Sequence, residues 1–396
     1  MSRLDDMIQE LCPDGVEYRN LEDCCIILDS KRKPITKAKR VAGDFPYYGA
    51  NGVQDYVNDY LFEGKFVLVG EDGSVLTLSG KPVVNWAEGK IWVNNHAHII
   101  SEKEGINLRY LFYYLQTVNI TDLVHGNIPK LTGKDFKAIK TPIPPLEVQQ
   151  EIVRLLDDFT AKTAELQAEL NKEYEARKKQ YEYYREMLLK NCSNSTVVRL
   201  GDICSVITKG TTPKVYTKTG VTFIKTEAIS NAKIDPCKLS YIDYETNEST
   251  LKRSKLQEND LLITIAGATI GKCLLIPKWV LPANTNQALA IIRLSIGNPH
   301  YVLHVLQSSI MKTYIKNMVK GSAQPNLNLK QLNDFQFNFP SLESQAKIVD
   351  TLDYFNSICD KLQSNISIEL ESRQKQYEYY RDKLLTFKEL NESEVN

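Results

Sequence analysis

The sequence predicts an α+β protein in which two similar strand-rich domains are joined by two long helices that form an intramolecular antiparallel coiled coil. Residues 144–189 align without a gap with residues 340–385, and 23 of the 46 aligned pairs are identical. Each copy of this repeat follows a segment of roughly 140 residues, and the two segments show strand and helix patterns in the same order. Such a long internal repeat indicates a chain built from two related halves.

Each copy of the repeat has the apolar periodicity of a helix. In the first copy, apolar and aromatic side chains recur three and four positions apart from Ile152 to Leu188, with Thr163 and Arg177 as exceptions. The second copy keeps this register. A helix of about 45 residues is roughly 65 to 70 Å long, which is longer than a compact domain is wide. Each copy is therefore predicted to be a spacer helix whose apolar seam packs on the other. Periodicity alone also allows a stalk with no further function.

The segments that precede the two helices are predicted to share a fold. At an offset of 191 residues, Asn95, Tyr110 and Gln116 align with Asn286, Tyr301 and Gln307. Most of the loops differ, which is expected of two domains that recognise different targets. The strand patterns and the helix that follows them lie at 46–53, 65–78, 90–100 and 108–117 in the first segment, and at 221–229, 260–276, 283–294 and 300–309 in the second.

The predicted boundaries divide the chain into four parts. They are a first domain with a short N-terminal helix at 1–143, a spacer helix at 144–192, a second domain at 193–339, and a second spacer helix with a polar tail at 340–396. The N-terminal stretches DMIQELC and RNLEDCC resemble EMLLKNC and VRLGDIC, which flank the end of the first spacer helix. The two ends of the chain are therefore expected to lie side by side.

Composition limits the class of protein. No apolar run approaches the length of a membrane span, and the N-terminus lacks the apolar core of a signal peptide, so a cytoplasmic location is expected. The eight cysteines include no CxxC pair and are expected to be reduced. Net charge is zero, but residues 193–339 hold 17 Lys and Arg against 9 Asp and Glu, and residues 31–40 hold six cations.

Several motifs resemble catalytic or metal sites but have simpler explanations. The stretch AGATIGKC at 266–273 has too few residues between its glycines for a phosphate loop, and Cys273 stands where Ser or Thr would bind magnesium. A turn between strands is favoured. The pairs His96 with His98 and His300 with His304 have metal-like spacing but no third ligand nearby, so turn or core histidines are favoured. No catalytic, metal or cofactor site is predicted in this chain.

The assembled pattern resembles the specificity subunit of a type I restriction-modification system over nearly the whole chain. The resemblance is carried by PLExQxxIVxxLDxF at 145–159, its looser copy at 341–355, two KQYEYYR endings, LGDICSVITKGTTPKVY at 200–216 and PYYGANGV at 46–53. It implies two target-recognition domains that each read half of a bipartite, asymmetric double-stranded DNA target, with the paired helices acting as a ruler.

The resemblance also implies the partners. Two adenine methyltransferase (modification) subunits would dock on the helices, and endonuclease/translocase (restriction) subunits would complete the complex. S-adenosylmethionine, ATP and magnesium are expected only on those partner subunits, and this chain is expected to be non-catalytic. The alternative function is a coiled-coil protein scaffold without DNA recognition, against which the basic second domain and the cations at 31–40 weigh.

Cations and amide or hydroxyl side chains are the candidate DNA contacts, because cations neutralise phosphates while amides and hydroxyls pair with base edges. A solvated surface charge or a turn residue is the alternative for each. The predicted phosphate contacts are Lys31, Arg32, Lys33, Lys37, Lys39 and Arg40 in the first domain, and Lys209, Lys214, Lys218 and Lys225 in the second. The predicted base contacts are Asn51, Gln54 and Asn94, then Thr211, Thr212 and Asn286.

Overall fold

The computed structural model describes residues 3–192, 194–230, 232–318 and 326–390. The chain divides into two compact units: residues 1–169 with 366–396 form the first unit, and residues 170–365 form the second. Each long helix therefore contributes one segment to each unit. The last part of the predicted polar tail, 391–396, lies outside the described residues.

The first unit contains a strand-rich domain followed by the start of a 45-residue helix. Its helices are α1 (Arg3–Leu11), α2 (Leu21–Cys24), α3 (Leu108–Leu115), α4 (Gly133–Lys137) and α5 (Leu146–Lys190), the last of which continues into the second unit. Its strands are β1 (Glu17–Asn20), β2 (Ile26–Ile27), β3 (Ala42–Gly49), β4 (Gly52–Val57), β5 (Phe62–Gly70), β6 (Val84–Val93), β7 (Ala97–Ser101), β8 (Val124–His125), β9 (Lys130–Leu131) and β10 (Lys140–Ile143).

The second unit contains a domain whose main strands occur in the same order as those of the first, with further short elements between them. Its strands are β11 (Thr196–Arg199), β12 (Cys204–Lys209), β13 (Val221–Ile224), β14 (Ile229–Ser230), β15 (Lys233–Ile234), β16 (Ser240–Ile242), β17 (Leu261–Thr264), β18 (Cys273–Leu275), β19 (Ala283–Thr285), β20 (Leu289–Leu294) and β21 (Gln336–Phe339). Its helices are α6 (Tyr244–Glu248), α7 (Pro299–Gln307), α8 (Ser309–Met318), α9 (Leu329–Asn333) and α10 (Leu342–Leu384), the last of which ends in the first unit.

The main sheets of the two domains share a pattern but differ in continuity. In the first domain six strands form one sheet in the order β2, β7, β5, β6, β3, β4, and only β3 and β6 pair in parallel. In the second domain the corresponding strands form two sheets, β12, β20, β17, β18 and β16, β13, β19, with β13 and β19 parallel. Pro277 and Pro282 separate β18 from β19. Since proline cannot donate a ladder hydrogen bond, they split the strand that is continuous as β6.

Each domain forms a common hydrophobic core with the helix segments of its own unit. In the first unit, Ile152 and Leu156 of α5 are buried in the same cluster as Leu111 and Phe136. In the second unit, Leu352 of α10 belongs to the cluster that holds the core of the second domain. At roughly 25 cal/mol per Å² of buried apolar area, such a shared core attaches each domain firmly to its helix segments.

The two long helices run antiparallel in each unit, as predicted. In the first unit the ring of Phe159 on α5 lies 5.7 Å from that of Tyr377 on α10. In the second unit Tyr181 on α5 lies 6.3 Å from Phe355 on α10. Phe159 and Phe355 occupy the same position of the repeat, and so do Tyr181 and Tyr377. The same contact thus occurs in both units, with α5 and α10 in exchanged roles, which confirms the coiled-coil pairing expected from the apolar seam.

Described residues near the two ends of the chain meet in the first unit, as the sequence predicts. The backbone N–H of Val16 donates to the carbonyl of Lys388 at 2.9 Å, and the N–H of Leu390 donates to the carbonyl of Val16 at 2.9 Å. The hydroxyl of Tyr18 donates to the carbonyl of Phe387 at 3.0 Å.

Two further expectations concern helices and cysteines. Among residues 3–390 as described, no helix combines the length and the apolar character that a membrane crossing needs. All eight cysteines are unpaired. Burial raises the pKa of Cys25 and of Cys204 to about 12, so these thiols, which occupy corresponding positions in the two domains, stay protonated at neutral pH.

Candidate nucleic-acid interface

The basic segment 31–40 is held on the surface of the first domain by its backbone. The hydroxyl of Tyr47 accepts a hydrogen bond from the N–H of Ile35 at 2.9 Å, and the indole N–H of Trp92 donates to the carbonyl of Lys33 at 2.6 Å. Because these bonds use main-chain groups, they leave the long cationic side chains outside. Four predicted phosphate contacts are exposed here: Lys31, Lys33, Lys37 and Lys39.

The two arginines of this segment are engaged within the domain. Arg32 donates from Nη1 to Glu71 Oε2 and to the carbonyl of Ala97, both at 2.6 Å, and its side chain is 11% exposed. Arg40 lies 4.1 Å above the ring of Tyr47 and 3.2 Å from Asp55 Oδ2. The hydrogen bond from Arg40 lowers the pKa of Asp55. The geometry thus gives both predicted phosphate contacts internal partners.

The predicted base contacts of the first domain lie next to the basic segment, but one is buried. Asn51 and Gln54 are exposed at the turn between β3 and β4 and at the start of β4. Asn94 is 2% exposed; it donates to Gln54 Oε1 at 3.4 Å and accepts from the N–H of His96 at 2.8 Å. The structure therefore brings the three together, with Asn94 supporting Gln54 from inside.

The predicted contacts of the second domain include two, Thr211 and Asn286, that lie side by side after β12 and β19. The N–H of Thr211 donates to the carbonyl of Thr285 at 3.0 Å, which places the loop after β12 beside Asn286. The side chain of Asn286 accepts a hydrogen bond from the N–H of Ala288 at 3.2 Å. This bond is typical of a turn residue, which is the alternative role that the sequence analysis gives for Asn286. The exposed members of this group are Lys209, Thr212, Lys214 and Lys218.

Lys225 is partly engaged with its neighbours. Its ammonium group lies 3.7 Å from Glu227 and 4.4 Å from the centre of the Tyr216 ring. Tyr216 and the neighbouring Val215 are exposed, as are Val53 and Tyr56 on β4 of the first domain. Sequence reasoning missed these apolar surface residues because the sequence alone does not show which apolar side chains of a strand or loop face solvent.

Histidine and carboxylate side chains form an ion network beneath the basic segment. Asp29, Glu71 and His98 bring potential metal-binding atoms within 4.8 Å of one another. The Nδ1 atom of His98 lies 2.6 Å from Asp29 Oδ2, and its Nε2 atom lies 3.0 Å from the carbonyl of Leu131. Both ring nitrogens are thus occupied by protein partners, which leaves neither of them free to bind a metal. Arg32 and Lys130 complete the balance of charge.

Each domain is attached to its spacer helix by the same two hydrogen-bonding side chains. In the first unit Gln149 on α5 accepts from the N–H of Asn107 at 2.9 Å and donates to the carbonyl of Pro144 at 2.8 Å. In the second unit Gln345 on α10 makes the same pair of bonds, at 2.8 Å each, to Asn298 and Pro340. The corresponding tyrosines then donate to the strand that leads into the helix: Tyr110 to Pro142 at 3.0 Å and Tyr301 to Asn338 at 2.7 Å.

A third attachment occupies corresponding positions but uses different side chains. In the first unit Arg109 and Tyr113 of α3 contact Asp157 of α5. In the second unit His300 and His304 of α7 contact Asp353 of α10. Next to this attachment each unit has a cavity between the domain and the helix segments, of about 340 Å³ in the first and about 300 Å³ in the second.

Known proteins resemble the chain along its length. The family model for the type I restriction modification DNA specificity domain matches residues 13–176 and 193–372. A putative type I restriction enzyme specificity subunit of Haemophilus influenzae is 35% identical over 387 residues, which cover 94% of this chain and 96% of that protein. The specificity subunit of the Escherichia coli type I restriction enzyme EcoR124I/EcoR124II is 31% identical over 71% of each chain.

Solved structures agree on the fold. A chain from a study of complex assembly and conformational transition of the type I R-M system has a TM-score of 0.66 at 16% identity and covers 94% of this chain and 98% of its own. The HsdS subunit from Thermoanaerobacter tengcongensis has a TM-score of 0.54 at 16% identity, with 95% and 97% covered. The two domain matches and the full-length relatives together show that this chain belongs to the family of type I restriction-modification specificity subunits.

Proposed function

We propose that this chain reads a bipartite, asymmetric sequence in double-stranded DNA and positions adenine methyltransferase and endonuclease subunits on it. One observation carries the proposal: the two domains share a frame and the same glutamine and tyrosine attachments to the helices, while their exposed polar loops differ. A duplicated frame with different loops suits two different half-sites, because loops determine specificity and the frame determines position.

Exposed lysines and polar side chains divide the work in this proposal. Lys31, Lys33, Lys37 and Lys39 in the first domain, with Lys209, Lys214 and Lys218 in the second, would contact phosphates. Asn51, Gln54 and Thr212 are the exposed candidates for base edges. Arg32 and Asn94 would act from inside by holding the loops in place. Chemistry would belong to the partner subunits, which would carry S-adenosylmethionine, ATP and magnesium.

Exchange of the second domain tests the proposal. Residues 193–339 are replaced by the corresponding domain of another family member, the chain is assembled with its methyltransferase subunits, and modified adenines are mapped by single-molecule sequencing. We expect one half-site to change and the other to remain. A change in both half-sites would disprove the modular reading. Absence of site-specific methylation and of salt-dependent DNA binding in the unaltered complex would favour the scaffold instead.

A further inference from the structure

We propose that Asp157 and Asp353 are positioning residues, each holding the domain of its unit at the angle on the spacer helix at which the domain reads its half-site. We further propose that histidines make the second attachment, and not the first, sensitive to pH. This inference rests on the proposed function in DNA recognition. It goes beyond it by assigning a role to residues that lie away from the candidate DNA contacts.

Comparison of the two units identifies these carboxylates. Asp157 and Asp353 occupy the same position of the helical repeat, as do Tyr377 and Tyr181. The glutamine and tyrosine attachments are the same in both units. The shared fold of the two domains therefore does not by itself require different side chains where domain and helix meet. At the third attachment, however, Arg109 and Tyr113 are replaced by His300 and His304. At this attachment the two units therefore differ in the chemistry of the groups that contact the carboxylate.

A partly open cavity lies beside the third attachment in each unit. In the first unit it is lined by Gln116, which follows α3, by Gln167 of α5 and by Tyr377 of α10, so it lies between the domain helix and the spacer segments. The corresponding Gln307, Gln363 and Tyr181 line the cavity of the second unit. Few apolar groups can pack across a partly open cavity, so directional bonds to the carboxylate hold the domain helix at its angle.

The first attachment does not change its charge near neutral pH. Arg109 donates to Asp157 Oδ1 from Nε at 3.1 Å and from Nη2 at 3.0 Å, and the Tyr113 hydroxyl donates to the same oxygen. An arginine side chain stays charged at every pH at which proteins fold. Burial, with help from the hydrogen bond to Asp157, raises the pKa of Tyr113. The first domain is thus attached by a permanent ion pair.

The second attachment depends on imidazole groups. The Nε2 atom of His304 lies 2.8 Å from Asp353 Oδ1, and its Nδ1 atom lies 3.3 Å from the hydroxyl of Tyr181. His300 lies 3.2 Å from Asp353 Oδ2. The hydrogen bond from His304 lowers the pKa of Asp353, so the carboxylate is ionised. Because the carboxylate is ionised at either protonation state of the imidazoles, protonation adds the attraction between opposite charges to these contacts.

The surrounding charges do not reverse this effect. The cavity of the second unit is also lined by Lys178 and Glu182, by Arg185 and Cys359, and by Lys233 paired with Asp360 at 2.7 Å. These residues include three cations and two acids, and Asp353 is a third acid. The positive and negative charges of the lining are therefore equal in number when the histidines are neutral. The nearest charge to His304 is Asp353. Since imidazoles titrate between about pH 5 and pH 8, the second attachment is strongest in mild acid and weakens as the pH rises.

The experiment uses the complex of this chain with its methyltransferase subunits and the target found by methylome mapping. Binding is measured from pH 6 to pH 8.5 on three duplexes: the full target, and targets altered in one half-site each. The domain exchange described above shows which half-site belongs to the second domain. Discrimination is the ratio of affinities for the full and the altered target, which cancels nonspecific effects of pH on DNA binding.

We expect discrimination at the second half-site to fall on the order of five- to tenfold between pH 6 and pH 8.5, while discrimination at the first half-site stays constant. The double change His300→Arg with His304→Tyr, which copies the first attachment, should remove the pH dependence. The reciprocal change Arg109→His with Tyr113→His should transfer it to the first half-site. As a control, His125→Asn at an exposed histidine outside both attachments should leave both profiles unchanged.

Two results would overturn the inference. One is a second half-site whose discrimination is independent of pH in the unaltered complex. The other is a pH dependence that persists in the His300→Arg, His304→Tyr variant. Either result leaves the proposed function intact, provided that the target is bound. Failure to bind any mapped target at every pH would instead remove the proposed function. Thermal unfolding of each variant, followed at pH 6 and pH 8.5, separates altered positioning from loss of folding.

Discussion

At the scale of single residues, the ion network under the basic segment shows how buried charge supports an exposed loop. His98 is 1% exposed, and its ring stacks on that of Phe136 at 4.2 Å. Burial alone would raise the pKa of Asp29, but hydrogen bonds from His98 and the charges of His98 and Arg32 outweigh it, and the pKa is lowered. The carboxylate therefore stays ionised and contacts His98 and Arg32, which are both largely buried.

Asp29→Asn tests this network. Removing one partner of a buried ion pair costs about 3–5 kcal/mol, and since Asp29 is partly exposed we expect about 3 kcal/mol less free energy of unfolding at pH 7. Because the pKa of Asp29 is lower in the folded state than in the unfolded state, Asp29 stabilises the fold fully above its unfolded-state pKa, which is near 4. This stabilisation is lost as the pH falls through the folded-state pKa. Urea unfolding between pH 2.5 and pH 7 should show a flatter acid limb in the variant.

The matched control is Asp72→Asn. Asp72 also pairs with a histidine, but that histidine, His96, is 48% exposed. Exposed pairs contribute less than about 1 kcal/mol, so the control should unfold almost as the unaltered chain does. Equal losses for the two variants would contradict the assignment of Asp29 to a buried network.

At the scale of elements, the segment 31–40 is a surface loop built from main-chain bonds and outward lysines. Lys37 and Lys39 are the first and last residues of a single 3-10 turn, and both are exposed. If both contact phosphates, changing both to alanine should weaken binding to all DNA sequences alike. The slope of log affinity against log salt should fall by about two, since each phosphate contact contributes about 0.9.

The control for this loop is Lys134→Ala on α4, an exposed lysine outside the segment. Its salt slope should match that of the unaltered complex. A loss of sequence preference without a change of slope in the Lys37→Ala, Lys39→Ala variant would show that these lysines do not act on phosphates.

Elements could be predicted where the signal is local. The long helices follow from periodicity, and they span Leu146–Lys190 and Leu342–Leu384, close to the predicted limits. The strand pattern at 260–276 was less accurate: it comprises β17, a turn that includes Gly267 and Gly271, both with positive φ, and β18. The turn is the structure favoured over a phosphate loop. Positive φ values suit glycine, but the sequence does not show where the chain reverses.

The interiors of the candidate sites could not be predicted, because their partners are distant in sequence. Arg32 finds Glu71 39 residues away, and Asn94 finds Gln54 40 residues away. His304, expected to be a turn or core histidine, is buried but contacts Asp353 across 49 residues. Surface lysines were easier to identify, since a run of cations cannot be buried without partners.

At the scale of the whole molecule, the two long helices are the elements that belong to both units. Each helix passes from one unit to the other, between residues 169 and 170 in α5 and between 365 and 366 in α10. Insertions at these two points leave every attachment described above within its own unit. They therefore change the spacer without changing either domain.

Inserting one heptad at each point should lengthen the permitted gap between half-sites. Seven residues add about 10 Å of helix, which corresponds to about three base pairs at 3.4 Å each, and a whole heptad preserves the apolar seam. Methylome mapping should recover the same two half-sites with a wider gap. An unchanged gap would show that the helices do not measure the distance, and a single-helix insertion serves as the mismatched control.

The meeting of residues 15–18 with 387–390 makes the polypeptide a nearly closed loop. A tether between the present ends, with new ends opened at the junction after α5, would yield a reordered polypeptide with the same packing. Evolution by fusion of two copies of one ancestral half would leave this signature in a descendant.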